Sequence, residues 1–343
     1  MTEPSPSKSP IEREPETVSP WPHGLAVVLV CATFPLIWVG ALVTTTKAGM
    51  AVPDWPTTYG YNLFLYPWTT WVFGPWDLFI EHGHRLLGAG VGLITIGLCV
   101  ALWRCENRSW LRYLGVAALV MVIAQGVLGG RRVQLDEVRL AQLHGCLGPL
   151  FFGLSVALAA VTSRWWRESK RNLVDGRRFE RLALLTTFLA YLQIVLGSNL
   201  RHIPPGASHD FFRTAVFFHL VVAVVVLVQV LVLAISIWRA RPGLSLTLPT
   251  TALVFLLVAQ IGFGGATWLW KYGWPLESLS HWQPYGGWLN TAGSMGESLV
   301  ITSHVALGSL ILATALLIAL RCGRYSYLSM RSAAGSVNGG VVA

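Results

Sequence analysis

Four histidines recur at matching places in this 343-residue chain, each near the start of an apolar segment. A small residue follows each histidine four positions later, on the same face if the segment is helical. A small residue one turn from an imidazole leaves room beside the ring, as a flat macrocycle bound through that ring would require. The pairs are His84 and Gly88, His144 and Gly148, His219 and Ala223, and His304 and Gly308.

Other roles are open to such histidines. A single histidine in an apolar segment more often bonds to a neighbouring helix or lines a polar cavity, and zinc or copper also accept imidazole ligands. Four ionisable side chains at equivalent places in membrane segments favour a functional role. Two pairs from facing helices suit two bound hemes better than one compact metal site. We predict that His84 pairs with His144 and that His219 pairs with His304.

A carboxylate accompanies only the first of these histidines. Glu81 lies three residues before His84, on the same helix face, and the other three histidine segments lack this Glu-x-x-His pattern. Beside a macrocycle, a carboxylate can take a proton or stabilise positive charge on a reacting carbon. The alternative is a carboxylate at a helix start, which the helix dipole favours. The asymmetry indicates that one half does chemistry while the other holds a cofactor.

Arginines near the same helix ends are candidates for binding anions such as heme propionates. The competing interpretation is ordinary snorkelling of arginine towards the membrane surface. The candidates are Arg85 and Arg131 in the first half of the chain and Arg201 and Arg213 in the second.

Composition identifies the elements that hold these residues as membrane spans. Hydrophobic residues make up 54% of the chain and charged residues only 12%, about half the charged share of a soluble domain. Backbone in lipid must satisfy its own hydrogen bonds, so the spans must be helices. We predict an all-α integral membrane protein with eight transmembrane helices in two pseudo-symmetric four-helix bundles. The predicted spans are 25–45, 82–103, 111–130, 140–162, 181–199, 212–238, 249–269 and 298–320.

A short internal repeat supports the division into two related halves. The hexapeptides Gln125–Gly130, Gln193–Ser198 and Gln260–Gly265 read QGVLGG, QIVLGS and QIGFGG. Each ends an odd-numbered span just before an even-numbered span that carries a histidine. The first hairpin has only Trp38-Val-Gly40 in the corresponding place. Such a repeat implies a pseudo-twofold arrangement with a site in each half.

Charge distribution predicts the topology. Most of the 25 Lys and Arg residues fall on the side of both termini, which the positive-inside rule places in the cytoplasm. The net charge of +9 does not indicate nucleic-acid binding, because the basic residues are spread over short segments between spans. We predict a disordered cytoplasmic tail (1–22), an N-terminal half (23–165), a cytoplasmic linker (166–180), a C-terminal half (181–322) and a second disordered tail (323–343).

Two long loops on the opposite side are rich in tryptophan. An interfacial aromatic belt explains such residues as well as a lid over each site does. The tryptophans are Trp55, Trp68, Trp71 and Trp76 in the first loop and Trp270, Trp274, Trp282 and Trp288 in the last.

Four features of the sequence carry a resemblance to a known family. They are Thr44–Pro56 (TTTKAGMAVPDWP), Glu81 with His84-Arg85, Gln125-x-x-x-Gly-Gly130 with Leu143-His144-Gly145, and the later His219 and His304. Through them the chain resembles the heme A synthase family over roughly residues 25–322. Many bacterial members carry a cysteine pair in the first outer loop, whereas this chain has none between residues 46 and 80.

The resemblance implies a specific reaction. Members oxidise the C8 methyl group of heme O to a formyl group, by two hydroxylations and loss of water, and so supply heme A to cytochrome oxidase. By resemblance, the N-terminal half holds heme O with His84, His144 and Glu81. The C-terminal half holds heme B, which passes electrons, with His219 and His304. The protein would be a multi-pass component of the cell (inner) membrane.

Two other functions fit four transmembrane histidines. One is a diheme b-type cytochrome that exchanges electrons with quinone, and the other is a heme transporter or chaperone. Glu81 and the resemblance favour the enzyme. Besides heme O and membrane lipid, the pathway implies two partners, the heme O synthase (protoheme farnesyltransferase) and an electron donor. A homo-oligomer stays open.

Overall fold

The computed structural model describes residues 19–169, 173, 175–204, 206–272 and 293–339. Within these residues the chain is all-helical, and eight helices are long and apolar enough to cross a membrane. They confirm the predicted fold class, a multi-pass helical membrane protein. The helices are α1 (Trp21–Thr45), α2 (Trp68–Val72), α3 (Trp76–Cys105), α4 (Ser109–Leu135), α5 (Val138–Thr162), α6 (Arg164–Glu168), α7 (Gly176–Arg201), α8 (His209–Ala240), α9 (Leu244–Tyr272) and α10 (Met295–Gly339).

Several helices extend past the predicted spans at the end of the bundle opposite the two termini, called here the distal end. Helix α3 begins at Trp76 instead of residue 82, so Glu81 lies inside the helix and not at its start. Helix α4 continues to Leu135, so Arg131 and Arg132 are both helical. Hydropathy marks the lipid-facing length of a helix, and these two helices continue beyond it.

The last helix also continues beyond its predicted span, here at the end of the bundle that bears the termini. Helix α10 continues to Gly339, whereas the sequence predicts a disordered tail from residue 323. Tyr325 is buried there, with its hydroxyl 2.7 Å from that of Ser245 and its ring against Trp165. These tertiary contacts explain why the helix continues beyond its apolar segment. Residues 1–18 of the other predicted tail lie outside the described residues.

Two large hydrophobic cores hold the spans together, and a third, small cluster lies at the distal end between α1 and α3. One is built from α1, α3, α4 and α5 around side chains such as Leu29 and Leu98. The other is built from α7, α8, α9 and α10 around Leu233 and Ile318. This arrangement is compatible with two four-helix halves, and the domain boundaries themselves remain a prediction.

A buried carboxylate joins the loop after α3 to α6 at the end of the bundle that bears the termini. Glu106 is 4% exposed and forms ion pairs with Arg108 at 2.8 Å and Arg167 at 2.9 Å. Burial alone would raise the pKa of Glu106, but hydrogen bonds from Arg108 and the charges of both arginines outweigh it and lower that pKa. The carboxylate therefore stabilises the loop after α3 in its ionised form.

This ion-pair cluster predicts a pH-dependent loss of stability in Glu106→Gln. A carboxyl whose pKa is lowered by folding stabilises the fold above its unfolded pKa, and that stability is lost as pH falls through the folded pKa. We expect the variant to lose about 1–3 kcal/mol of stability at neutral pH. Thermal unfolding in detergent at several pH values measures it. A difference from wild type that persists undiminished well below pH ~4, the ordinary range of a glutamate pKa, would contradict the assignment.

Candidate functional site

One cavity of about 2110 Å³ reaches into both halves of the bundle. Its volume is about twice the upper end of ordinary small-molecule sites, which run to about 1,000 Å³. The space therefore suits more than one ligand of that size. Its wall includes all four predicted histidines and the four small residues that follow them, Gly88, Gly148, Ala223 and Gly308.

Each histidine ring packs against a glycine of the preceding span. A Cβ atom at that glycine would lie so close to the imidazole Cε1 that the ring would have to shift. Glycine at these places therefore sets where each ring stands. The pairs, with the distance from such a Cβ to Cε1, are Gly40 and His84 (2.6 Å), Gly129 and His144 (3.2 Å), Gly197 and His219 (3.1 Å), and Gly264 and His304 (2.9 Å).

The sequence repeat explains three of these pairs. The glycine follows the glutamine of the repeat by four residues, and that glutamine bonds to the same histidine residue. In His144 and His304 the ring Nδ1 lies within hydrogen-bond distance of a backbone carbonyl, which leaves Nε2 for a ligand. In His219 the ring Nδ1 has no partner among the described residues, and Nε2 lies 3.3 Å from Gln193 Nε2. The contacts are Gln125 O to His144 Nδ1 (3.1 Å), Gln260 O to His304 Nδ1 (3.1 Å) and Gln193 Nε2 to the His219 carbonyl (2.9 Å).

The structure brings the predicted histidine partners together. The rings of His219 and His304 have centroids 6.5 Å apart. A metal ion between two imidazoles needs roughly 4 Å between their nitrogens, at about 2 Å per bond. The 6.5 Å between the centroids is large enough for such a spacing between one nitrogen of each ring. His84 and His144 are close enough to interact electrostatically.

The glycine contacts predict that one added methyl group disturbs ligand binding in the C-terminal half. In Gly264→Ala the new Cβ would displace the His304 ring, and we expect retention of a histidine-bound ligand to fall about tenfold, the loss typical of disturbed ligand orientation. The matched control is Gly262→Ala on the same helix, where a Cβ meets no atom within 4 Å. Absorbance of the purified variants measures retention. Equal retention in the two variants would show that Gly264 does not position the ring.

Glu81 is buried beside the N-terminal histidines. Its side chain is 2% exposed and lines the cavity. Oε2 accepts the N–H of Val52 at 2.9 Å, and Oε1 accepts the guanidinium of Arg85 at 2.8 Å. Arg132 adds a further electrostatic attraction. The carboxylate is therefore fixed in place by charge-assisted bonds.

Arg85, a predicted propionate partner, anchors the first distal loop. Besides Glu81 it donates to the carbonyls of Val52 (2.7 Å), Asp54 (2.6 Å) and Thr57 (3.1 Å). One guanidinium thus ties the loop to α3 and to the carboxylate. Sequence reasoning missed this role because none of the three carbonyls is close to Arg85 along the chain.

Asp54 organises the same loop from within. Its carboxylate accepts the N–H groups of Tyr59 (2.7 Å) and Gly60 (2.9 Å) and the hydroxyl of Thr57. Burial would raise the pKa of Asp54, but these hydrogen bonds outweigh it and lower that pKa. The Pro53-Asp54-Trp55-Pro56 motif is therefore a folded loop with an ionised centre.

The tryptophans of this loop divide between the two predicted roles. Trp55 lines the cavity, and its ring occupies the space where a Cβ of Gly130 would lie, 2.1 Å from Cδ2. His82 is buried under the loop against Thr58 and Trp71. Trp68 and Trp76 are exposed, as in an aromatic belt. The last distal loop, with Trp274, Trp282, Trp288 and His281, lies outside the described residues.

The remaining predicted arginines occupy different environments. Arg201 and Arg213 line the cavity. Arg131 is exposed and bonds to Gln134 at 3.1 Å, while the adjacent Arg132 lines the cavity. Neighbouring helical residues point about 100° apart, so the sequence alone could not choose between these two. Arg132 is thus a candidate that sequence reasoning missed.

Comparison with known proteins identifies the family. Residues 23–209 match the family model described as cytochrome oxidase assembly protein. The match covers more than half of the chain. The chain belongs to this COX15-CtaA family. The matched residues carry Glu81, His84, His144 and their loop, whereas His219 and His304 lie beyond them.

Curated relatives in this family are named heme A synthase. The Shouchella clausii protein is 26% identical over 52% of this chain and 58% of its own length. The Alkalihalophilus pseudofirmus protein is 26% identical over 64% of this chain and 77% of its own length. The Cereibacter sphaeroides protein is 34% identical over 37% of this chain and 35% of its own length. The chain thus spans little more than half the length of the first of these relatives.

Proposed function

We propose that this member of the COX15-CtaA family is a heme A synthase that oxidises the C8 methyl group of heme O to a formyl group. The observation that carries the proposal is the pairing of a buried carboxylate, Glu81, with His84 and His144 in only one half of the shared cavity. In the described part of the chain, no buried carboxylate accompanies His219 or His304, because Asp210 of α8 lines the cavity but is exposed. Two histidines with a buried carboxylate suit a substrate site, and two histidines without one suit a cofactor site.

The donors of the cavity fit bound hemes. Imidazole is an ordinary axial ligand of heme iron. Small residues one turn from each histidine leave the wall open beside the ring, and the arginines on the wall suit propionates. We assign heme O to His84 and His144 and heme B to His219 and His304. Heme B held there would supply one-electron redox chemistry.

The reaction assigns a specific task to Glu81. Turning a methyl into a formyl group adds one oxygen and removes two hydrogens, so a carbon at the macrocycle edge becomes electron-poor during the change. A fixed carboxylate stabilises positive charge on that carbon or takes one of its protons. The bonds from Arg85 and the Val52 N–H keep the carboxylate in place, and Trp55 lines the same cavity.

Location and partners follow from this role. We propose that both termini lie in the cytoplasm and that the distal end faces the outer side of the cell membrane. The pathway requires a heme O-forming farnesyltransferase as supplier and an electron donor for the cofactor. Co-purification with the farnesyltransferase in mild detergent tests the first of these partnerships, and its absence would weaken the proposal.

Expression in a host that makes heme O, but lacks its own heme A synthase, tests the function. We expect heme A, or a hydroxylated heme O, in extracted membranes only when the chain is expressed. Chromatography with mass identification measures it. Heme B alone under aerated growth would contradict the enzyme and favour a diheme cytochrome, the second candidate, which the spacing of His219 and His304 supports equally well.

A further inference from the structure

A buried positive charge lies where the two halves meet at the distal end. Arg201 ends α7, and its Nη2 donates to the carbonyl of Ala41 (2.6 Å) and the hydroxyl of Thr45 (2.8 Å) in α1. Its Nη1 is also buried and has no hydrogen-bond partner among the described residues. A buried donor without a partner is costly, and more so when it is charged. The guanidinium therefore has one donor available for a ligand.

The wall of the cavity carries more positive than negative charge. Arg85, Arg132, Arg201 and Arg213 line it, against the carboxylates of Glu81 and Asp210. Four cations and two anions leave an excess of two positive charges. Glu81 is already bonded to Arg85, and Asp210 is exposed in the first turn of α8. The ion pairs of the described chain do not include Arg201.

His202, the residue directly after α7, also lies close to the N-terminal half at this place. The Nδ1 atom of His202 lies 3.1 Å from the Ser198 carbonyl, and the ring lines the cavity. Its Cε1 atom is 3.7 Å from where a Cβ of Gly145 would lie, next to His144. Electrostatic interactions connect His202 with both Arg201 and Arg132. The junction is thus a basic pocket built by both halves.

We propose that Arg201, with Arg132 and His202 around it, forms a carboxylate-binding site shared by the two halves, and that its ligand is a propionate group of a bound heme. The buried Nη1–H donates to the carboxylate oxygen, which also offsets part of the excess charge. The inference rests on the proposed heme-binding function. It makes Arg201 of the C-terminal half part of a site that both halves build, and the test below tells which heme supplies the propionate.

Heme retention in Arg201→Gln tests the site. The full-length protein is purified from two hosts, one making heme B only and one making heme O as well, and heme loss to a scavenging protein is followed by absorbance. Losing a charge-assisted bond should speed the loss of the bound heme about tenfold or more. Faster loss of heme B in both hosts identifies the cofactor's propionate. Faster loss of heme O alone identifies that of the substrate.

Two controls separate anion binding from packing. Thr46→Val removes a hydroxyl hydrogen bond to the Leu42 carbonyl in the same turn of α1, away from Arg201, and Arg139→Gln removes an exposed charge at the same end of the bundle. Both should retain heme as wild type does. Unchanged retention in Arg201→Gln, or equal loss in Thr46→Val, would overturn the site. Heme that is retained but never oxidised would instead count against the proposed function, because retention does not depend on turnover.

Discussion

Replacing Glu81 by Gln is expected to stop the oxidation of heme O while leaving heme bound. Glutamine keeps an acceptor for the Val52 N–H but cannot carry the negative charge or take a proton. A positioned acid–base group contributes about 10²- to 10⁴-fold to a rate, so product formation should fall by about that factor. The bonds from Arg85 to three loop carbonyls remain, and the loop should keep its fold.

The measurement is the ratio of heme A to heme O in the purified variant, normalised to total heme. Glu106→Gln is the matched control because it also neutralises a buried carboxylate that pairs with arginine, at the opposite end of the bundle. This control should lose stability but oxidise normally per folded molecule. Heme A at the wild-type rate in Glu81→Gln would show that the carboxylate has no role in the reaction.

Replacing His219 by Ala is the second change with a large expected effect. The His219 and His304 rings lie with centroids 6.5 Å apart, so removing one would leave a cofactor iron bound between them with a single imidazole. We expect most of the heme B to be lost, and electron supply to the N-terminal site to fail with it. The heme O histidines are untouched, so unreacted heme O should accumulate in the protein.

Absorbance and extracted-heme analysis of His219→Ala measure this result. His23→Ala is the control, since His23 bonds to Thr162 at the end of the bundle that bears the termini and lies away from the cavity wall. It should keep both hemes. A His219→Ala protein with a full complement of heme B would contradict the assignment of the C-terminal site.

The spans and the histidines of the site could be predicted because both depend on local patterns. Apolar length identifies a span, and the spacing of four residues places Gly88 beside His84 on one helix face. The repeat also contains the glycine that packs against three of the four rings, four residues after Gln125 and its counterparts. The role of this glycine can be read from the sequence only once a histidine is known to pack against it.

Long-range contacts account for what the sequence did not show. The partners of Arg85 lie about thirty residues away along the chain in the first distal loop. The choice of Arg132 over Arg131 depends on how far α4 continues beyond its apolar part. His202 lies beyond the predicted span 181–199, and only the packing of α7 against α5 places it on the cavity wall.

The most direct test supplies heme O to the purified full-length protein, with a reductant and air, and follows the mass of the extracted heme. The account predicts loss of two hydrogens and gain of one oxygen at the methyl group, and no such change in Glu81→Gln. Heme O recovered unchanged from a protein that holds both hemes and accepts electrons would contradict the central claim. The protein would then be an electron carrier and not an enzyme that oxidises heme O.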